Sequence, residues 1–237
     1  DEEAAEYASR VDLSYVNGRI PRGIWKGGDL KYEDINDDGI ISLGDNSVKN
    51  PGDRKIIGNS LARLQYGFTI NLDYFGFDIS AFFQGTGNHY WYPSGRSFAF
   101  WGPFSQPMTS YMNKDFLDDC WDYNNTDAYF PRAVAYYAYD GGGQLNKVNT
   151  RYLQNIRYLR FKNLSVGYTF PKKLTQKIGI EAIRLSFTGE NLAYWSPLKK
   201  HTTHIDPEGA FNRSSNDYNR AFYPWQKSYM FGLDVTF

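Results

Sequence analysis

The sequence predicts an all-β fold, made of strands from a transmembrane antiparallel β-barrel, and three observations lead there. The last ten residues alternate between apolar and mostly small or polar side chains and end on an aromatic residue. Four earlier segments alternate in the same way. The connections between these five segments are long and short in turn. Barrel strands face lipid on one side and a polar lumen on the other, which produces this period of two.

The final segment shows the pattern most clearly. Its apolar or aromatic positions are Tyr229, Phe231, Leu233, Val235 and Phe237. Side chains alternate across a strand, so these five residues share one face. A segment that alternates to the last residue and then stops is typical of outer-membrane barrels and less typical of the edge of a soluble β-domain.

The other strands are predicted at residues 63–73, 77–84, 157–170 and 181–194, and the last strand at 227–237. The first two form a hairpin around a tight turn at residues 74–76. In the third, the parity of the apolar positions changes at Lys162 and Asn163, which predicts a β-bulge there.

The connections predict the orientation of these strands. Barrels have short periplasmic turns and long extracellular loops. Residues 1–62, 85–155 and 195–225 are therefore expected outside the cell, and the turns at 74–76 and 171–179 in the periplasm. Five strands cannot close a barrel, since the smallest need about eight. We therefore expect residues 63–237 to be the C-terminal strands of a larger barrel, or one piece of a nicked protein.

Composition narrows the function classes. The chain has 26 basic and 26 acidic residues, so it lacks the basic excess of a nucleic-acid-binding protein. It has no apolar run long enough for a membrane-spanning helix, and its single cysteine excludes an internal disulfide. There is no nucleophile motif, phosphate-binding glycine loop or redox cysteine pair, so no enzyme is predicted. His201, His204 and Asp206 lack the spacing of a helical zinc site, which favours solvated loop side chains.

Several motifs, in order along the chain, resemble the C-terminal region of SusC/RagA-type TonB-dependent transporters. The similarity begins near Gly28 and continues to Phe237. It is carried by the segments at 28–39, 56–59, 66–68, 76–85, 158–168 and 184–192, and by the terminal strand.

This resemblance implies a large plugged barrel in the outer membrane of a Gram-negative bacterium of the Bacteroidetes type. Such transporters import oligosaccharides or peptides with energy delivered through TonB, and a SusD-like surface lipoprotein caps them. The expected partners are therefore the N-terminal barrel and plug of the same transporter, the lipoprotein, TonB, outer-membrane lipid and the cargo, with no nucleic acid.

Residues 34–45 predict a calcium-binding loop. Acidic or amide side chains stand at positions 1, 3 and 5 and a glycine at position 6, as in an EF-hand loop, and Ca²⁺ prefers six to eight oxygen ligands. Position 12 is an aspartate where glutamate is usual, which suits a structural site better than a sensor. A turn without an ion is the alternative. The predicted ligands are Asp34, Asn36, Asp38, Ile40 through its carbonyl, Ser42 and Asp45.

The long segment 85–155 is rich in aromatic residues, which can stack on sugar rings or hold a peptide. The alternative is that they pack the segment against its neighbours or against the lipoprotein. The candidate cargo-binding residues are Tyr90, Trp91, Tyr92, Trp101 and Trp121. A second function also stays open at this stage: a secreted, soluble, calcium-stabilised β-domain that binds carbohydrate.

Overall fold

The computed structural model describes residues 27–30, 32–45, 47–108, 112, 114–139, 144–202, 205–210 and 225–237. The predicted loop regions 1–62, 85–155 and 195–225 therefore lie partly outside the described residues, and His204 lies wholly outside them. The described chain forms two compact units. We call them the sheet unit, residues 58–91, 154–202, 205–210 and 225–237, and the aromatic unit, the described residues within 27–57 and 92–153.

The sheet unit is built on five antiparallel strands in the order β1-β2-β5-β6-β7. A separate two-stranded pairing joins β3 to β4. The bounds are β1 Gln65–Tyr74, β2 Phe77–Thr86, β3 Tyr90–Trp91, β4 Gln154–Asn155, β5 Tyr158–Thr169, β6 Ala182–Trp195 and β7 Ser228–Thr236. The all-β fold class is confirmed, and each of the five predicted strand segments coincides with one strand of the sheet. The largest differences are two residues: β1 begins at Gln65 and not at Arg63, and β2 continues to Thr86.

The register places the apolar side chains of all five strands on one face. Phe68 pairs with Phe83, which pairs with Phe161, and the three rings stack with centroids 5.0 and 4.6 Å apart. Leu185 pairs with Leu233 across β6 and β7. This apolar face is exposed; the exposed fractions of the side chains on β1 rise from 37% at Tyr66 to 68% at Tyr74. The opposite face carries mostly polar and charged side chains, such as those of Asn71, Ser80, Ser165, Thr188 and Asp234.

The bulge lies where the parity change predicts it. Phe82 pairs with Asn163 and Phe83 with Phe161, so Lys162 is the extra residue on β5. Without this bulge, a strand of this sequence would present apolar residues to opposite faces on its two halves.

Two short connections close one end of the sheet, which we call the turn end. Between β1 and β2, Phe75 and Gly76 both have positive φ, 45° and 85°, the geometry of a two-residue type I′ hairpin turn. Between β5 and β6 lies a one-turn helix, α2 (Lys172–Thr175), which continues as a 3₁₀ turn and ends at Gly179 with φ 75°. At the opposite end, the loop end, β1, β5 and β7 begin and β2 and β6 finish.

The aromatic unit has a core although it contains little regular structure. Its helices are α1 (Phe98–Trp101) and two 3₁₀ turns, Gly102–Phe104 and Gln144–Asn146. Its buried side chains are Phe100, Trp101, Phe104, Phe116, Cys120, Ala128, Phe130, Ala138, Leu145 and Tyr152. The segment predicted as a long loop therefore has a packed core of aromatic rings. The ring centroids of Trp101 and Tyr152, for example, are 5.2 Å apart.

Helices occupy little of the described chain. The sheet unit adds a third one-turn helix, α3 (Pro207–Ala210). Within the ranges given above, none of the helices has the length and apolar character needed to cross a membrane.

Candidate functional site

The polar face of the sheet carries a buried arginine near the loop end. Arg160, on β5, has a side chain only 2% exposed and donates a 2.5 Å hydrogen bond from Nη2 to Oδ2 of Asp206. Its Nε lies 3.4 Å from Oε2 of Glu208, at the start of α3. Two carboxylates thus face one guanidinium, which anchors the segment that follows β6 to the wall of the sheet.

Aromatic rings enclose the same guanidinium. Its central carbon lies 5.8 Å from the ring centroid of Tyr158, 5.1 Å from that of Tyr194 and 5.3 Å from that of Trp225. Flat aromatic faces attract cations and exclude water from them, so this arrangement strengthens the ion pairs. The sequence pattern does not reveal the cluster, because its acids stand 46 and 48 residues from Arg160 along the chain. Asp206, considered above as a metal ligand, is instead an ion-pair partner.

A second ion pair crosses the polar face nearer the turn end. Nη2 of Arg184 on β6 donates to Oδ2 of Asp78 on β2 at 2.6 Å, passing over β5. The strand between them presents Gly167, and a Cβ there would collide with both charged groups. The glycine therefore provides the space in which charges two strands apart can meet.

The predicted calcium loop folds around its own polar groups. Oδ2 of Asp34 accepts the N–H of Gly39 at 2.8 Å, and Oδ1 of Asp38 accepts that of Ile40 at 2.8 Å. Gly39 has φ 80°, consistent with the sharp turn predicted for it. Oδ1 of Asp34 is buried and has no hydrogen-bond partner, which fits a position where a cation would be coordinated.

The far end of the predicted loop is arranged differently. Asp45 accepts the N–H of Ser47 at 3.1 Å in a local turn, and hydrogen bonding with the Ser47 side chain, with a smaller contribution from this N–H, lowers the pKa of its carboxyl group. Asp53 instead closes the loop, since its two carboxylate oxygens accept the N–H groups of Ile35 (2.7 Å) and Ser42 (2.6 Å). Among the described residues, no three His, Cys, Asp or Glu side chains converge as a metal-binding group.

The sequence pattern did not identify Asp53, because ten residues separate it from Ser42. Backbone N–H of Asp53 donates to the carbonyl of Ser42 at 2.9 Å, so the intervening residues form a closed excursion. Gly44 and Gly52, both with positive φ, stand at its two ends. A pair of glycines bracketing an insertion, followed by an acid, is the signal that could have identified Asp53.

Two of the five candidate cargo-binding residues, Trp101 and Tyr92, are held by contacts inside the aromatic unit. Trp101 is completely buried, and its Nε1 donates to the carbonyl of Pro93 at 3.1 Å. The hypothesis that it binds cargo is therefore corrected: its ring belongs to the core. The hydroxyl of Tyr92 lies 2.8 Å from the carbonyls of Leu145 and Lys147, and burial raises the pKa of Tyr92 far above its ordinary value.

The remaining candidates are partly exposed but also packed. Trp121 covers Gly27 and Gly28, where an added Cβ would lie 2.6 Å from its ring. The ring of Tyr90 covers Gly58 in the same way, at 2.8 Å. Trp91 pairs with Gln154 between β3 and β4. For these residues cargo binding stays a prediction.

Comparison with known proteins confirms the predicted resemblance. The chain is 31% identical over 220 residues to TonB-dependent receptor P26 of Formosa agariphila, which covers 89% of this chain. It is 26% identical to TonB-dependent receptor P3 of the same organism, over 94% of this chain. The chain spans about one fifth of the length of these relatives. No family model matches it.

Solved structures agree on the fold. The RagAB peptide importer in its open-open state superposes with a TM-score of 0.52 at 22% identity, covering 81% of this chain and 19% of that one. A structure of the RagAB peptide transporter gives the same TM-score at 24% identity, over 77% of this chain and 18% of that one. The five strands thus correspond to part of the fold of a transporter.

Proposed function

We propose that this chain, with its confirmed similarity to TonB-dependent receptors, forms part of the wall of an outer-membrane importer for oligosaccharides or peptides. The observation that carries the proposal is the pair of unlike faces of the sheet. Apolar side chains run across all five strands on one face and are exposed, while the other face is polar. Soluble proteins rarely leave so continuous an apolar surface open to water, but the wall of a barrel requires one.

The apolar face also has the layered composition of a membrane-spanning wall. On β1, Tyr66 and Phe68 lie toward the loop end, Ile70 and Leu72 in the middle and Tyr74 at the turn end. An aliphatic band between aromatic girdles is typical of barrel strands, whose aromatic rings lie at the two membrane interfaces. This arrangement supports contact with outer-membrane lipid along the whole height of the sheet.

The same proposal identifies what covers the two outer edges of the sheet. Strands β1 and β7 each pair on one side only within the described sheet, and lipid cannot satisfy open backbone groups. We infer that further strands of the same barrel, with its plug, cover these edges. The loop end then faces outward, with a SusD-like lipoprotein above it, and TonB drives the import. The relatives are receptors and an importer, which supports a role without catalysis.

Spin labelling of the complete transporter tests the proposal. In a Cys120→Ser background, Ile79→Cys lies on the apolar face and the adjacent Ser80→Cys on the polar face. In native outer membranes we expect the Ile79→Cys label to be relaxed by lipid-soluble oxygen and the Ser80→Cys label by a water-soluble nickel chelate. Equal access of the nickel chelate to both labels, in a protein found outside the membrane fraction, would favour the secreted carbohydrate-binding alternative.

We further propose that the loop from Asp34 holds a structural calcium ion. Asp34, Asn36, Asp38 and the carbonyl of Ile40 supply oxygen ligands of the type that Ca²⁺ prefers, and the unpartnered oxygen of Asp34 supports this. In the predicted set, Ser42 and Asp45 complete the coordination; the geometry favours Asp53 over Asp45, because Asp53 already draws the two ends of the loop together.

Calcium removal gives a direct test. A chelator should accelerate protease cleavage within residues 34–53 of the complete transporter, and added Ca²⁺ should restore resistance. Asp34→Asn should abolish the calcium effect, whereas Asp45→Asn should retain it and Asp53→Asn should weaken it. If a chelator does not change the rate of cleavage of the unaltered protein, the calcium proposal is contradicted and the importer proposal stands.

A further inference from the structure

A groove of about 1020 Å³ opens at the loop end of the sheet unit. Its walls come from the first residues of β1 and β5, the last residues of β2 and β6, the segment that follows β6 and the segment that precedes β7. The arginine cluster forms one side of it. None of the residues proposed above as calcium ligands lines this groove.

The groove carries a surplus of positive charge. Four basic residues line it, Arg157, Arg160, Lys199 and Lys227, against one acid, Asp206. The carboxylate of Asp206 is already matched by Arg160. Arg157, Lys199 and Lys227 are exposed, so the groove presents net positive charge to whatever enters it.

Two polar atoms in the lining are buried without a hydrogen-bond partner. They are the hydroxyl Oγ1 of Thr86 and the amide oxygen of Asn191. Asn191 is held in the left-handed region, with φ 52°, while its Nδ2 donates to the carbonyl of Gln226. Unpaired buried polar groups cost folding free energy, so two of them around one groove indicate a ligand that supplies the missing partners.

The missing partners include a donor. The amide oxygen of Asn191 needs a donor, and the hydroxyl of Thr86 can use either a donor or an acceptor. A sugar hydroxyl donates and accepts with the same group. Trp225, 46% exposed, adds a flat apolar surface beside these polar atoms, on which the C–H face of a sugar ring can stack.

We propose that this groove binds an acidic oligosaccharide, a saccharide chain bearing carboxylate or sulfate groups. Exposed cations hold the acidic groups, the indole ring of Trp225 holds a sugar face, and sugar hydroxyls satisfy the two unpaired atoms. This inference rests on the proposed import function and narrows its cargo. A peptide is the competing occupant, and the test below includes one.

Calorimetry on the complete transporter, purified from outer membranes in detergent, tests the inference. The probes are tetragalacturonate, a sulfated carrageenan tetrasaccharide, neutral maltotetraose and a tetra-alanine peptide. We expect at least one acidic probe to bind at least tenfold more tightly than maltotetraose or the peptide. Because the attraction is electrostatic, the affinity should fall as salt rises.

Matched variants locate the binding. Trp225→Ala and Lys227→Gln should each lower the affinity for the acidic probe about tenfold. The controls are Phe75→Ala and Lys173→Gln, which remove an exposed ring and an exposed lysine at the turn end; they should leave the affinity unchanged. Equal yield in the membrane fraction shows that every variant assembles.

Three outcomes overturn the inference: no binding of either acidic probe, preferential binding of the neutral sugar or the peptide, or equal affinity in groove and control variants. All three leave the importer proposal standing, since the transporter has then been recovered from the outer membrane. Absence of the protein from that membrane is the separate result that defeats the importer proposal itself.

Discussion

The sheet unit and the aromatic unit use the same residue types in opposite ways. On the sheet, large apolar side chains point outward: Phe231 is 84% exposed and Leu233 63%. In the aromatic unit, Trp101 and Tyr152 are completely buried, and rings pack against rings. An aromatic residue is therefore no guide to the core of this protein until the medium around each unit is known.

This difference determines where each unit gains its stability. In the proposed barrel wall, the apolar face of the sheet gains free energy from contact with lipid, whereas the aromatic unit removes its apolar surface from water by itself. Substitutions in the two units should consequently respond to different treatments: lipid composition for the sheet, and denaturant or alkali for the aromatic unit.

The largest effect is expected from Trp101→Ala. The indole contacts Phe100 and Tyr152, with centroids 4.8 and 5.2 Å away, and no water reaches it. Its removal leaves a cavity and should destabilise the aromatic unit by about 3–5 kcal/mol. Cleavage within residues 92–153 should accelerate by two to three orders of magnitude. The control Met108→Ala, at an 88% exposed side chain, should leave cleavage unchanged.

The next effect tests the faces of the sheet. Ile79→Arg introduces a charge in the aliphatic band, and Ser80→Arg introduces the same charge on the polar face one residue later. The first should cost about 2–4 kcal/mol in lipid, because an arginine near the midplane loses its hydration. The second should cost less than about 1 kcal/mol. Urea unfolding of the transporter in lipid vesicles measures both, and equal costs would contradict the assignment of faces.

The two units were also unequally predictable from the sequence. The period of two locates all five strands, and the parity change locates the bulge, because strand side chains alternate strictly and neighbours in the sheet follow one another along the chain. Tyr66, Ile70 and Leu233 lie on the face that the alternation gives them.

The alternation of side chains does not predict contacts between residues that are far apart along the chain. Arg160 meets Asp206 only because the segment after β6 folds back, and Asp53 meets Ile35 only because an insertion closes on itself. The aromatic unit has no repeating period at all, so the burial of Trp101 depends on contacts with residues up to 51 positions away, such as Tyr152. Tertiary packing without periodicity leaves no local signal to interpret.

The next prediction has a smaller expected effect and compares one ion pair from each unit. In the aromatic unit, Asp29 is 11% exposed and accepts from Arg132 at 3.2 Å and from the hydroxyl of Tyr137 at 3.1 Å. On the sheet, Asp78 and Arg184 are 39% and 41% exposed. Asp29→Asn should cost about 1–3 kcal/mol, since it weakens bonds to a buried group. Asp78→Asn should cost at most about 1 kcal/mol, because water screens an exposed pair. Thermal unfolding at two salt concentrations distinguishes them: only the Asp78 effect should shrink with salt.

The smallest effect at neutral pH concerns Cys120, a thiol buried in the aromatic unit with Sγ 3.2 Å from the carbonyl of Phe116. Burial, with a smaller contribution from Asp119, raises the pKa of this thiol to about 12. In the unfolded chain the thiol ionises at about pH 8.5, so the stabilisation is complete below that pH and is lost progressively as the pH rises toward 12. Burial raises the pKa of Tyr137 and Tyr152 as well, so all three groups favour unfolding in alkali.

The thiol therefore reports on the aromatic unit alone. At pH 8 we expect iodoacetamide to modify Cys120 at least a hundredfold more slowly than a cysteine placed at Tyr123, whose side chain is 89% exposed. Above pH 9 the modification should accelerate more steeply than thiolate formation predicts, because the unit itself opens. Trp101→Ala should remove the protection already at pH 8, and Ile79→Arg should leave it intact. Protection lost equally in both variants would mean that the two units unfold together, and the contrast between them would then be one of composition and not of stability.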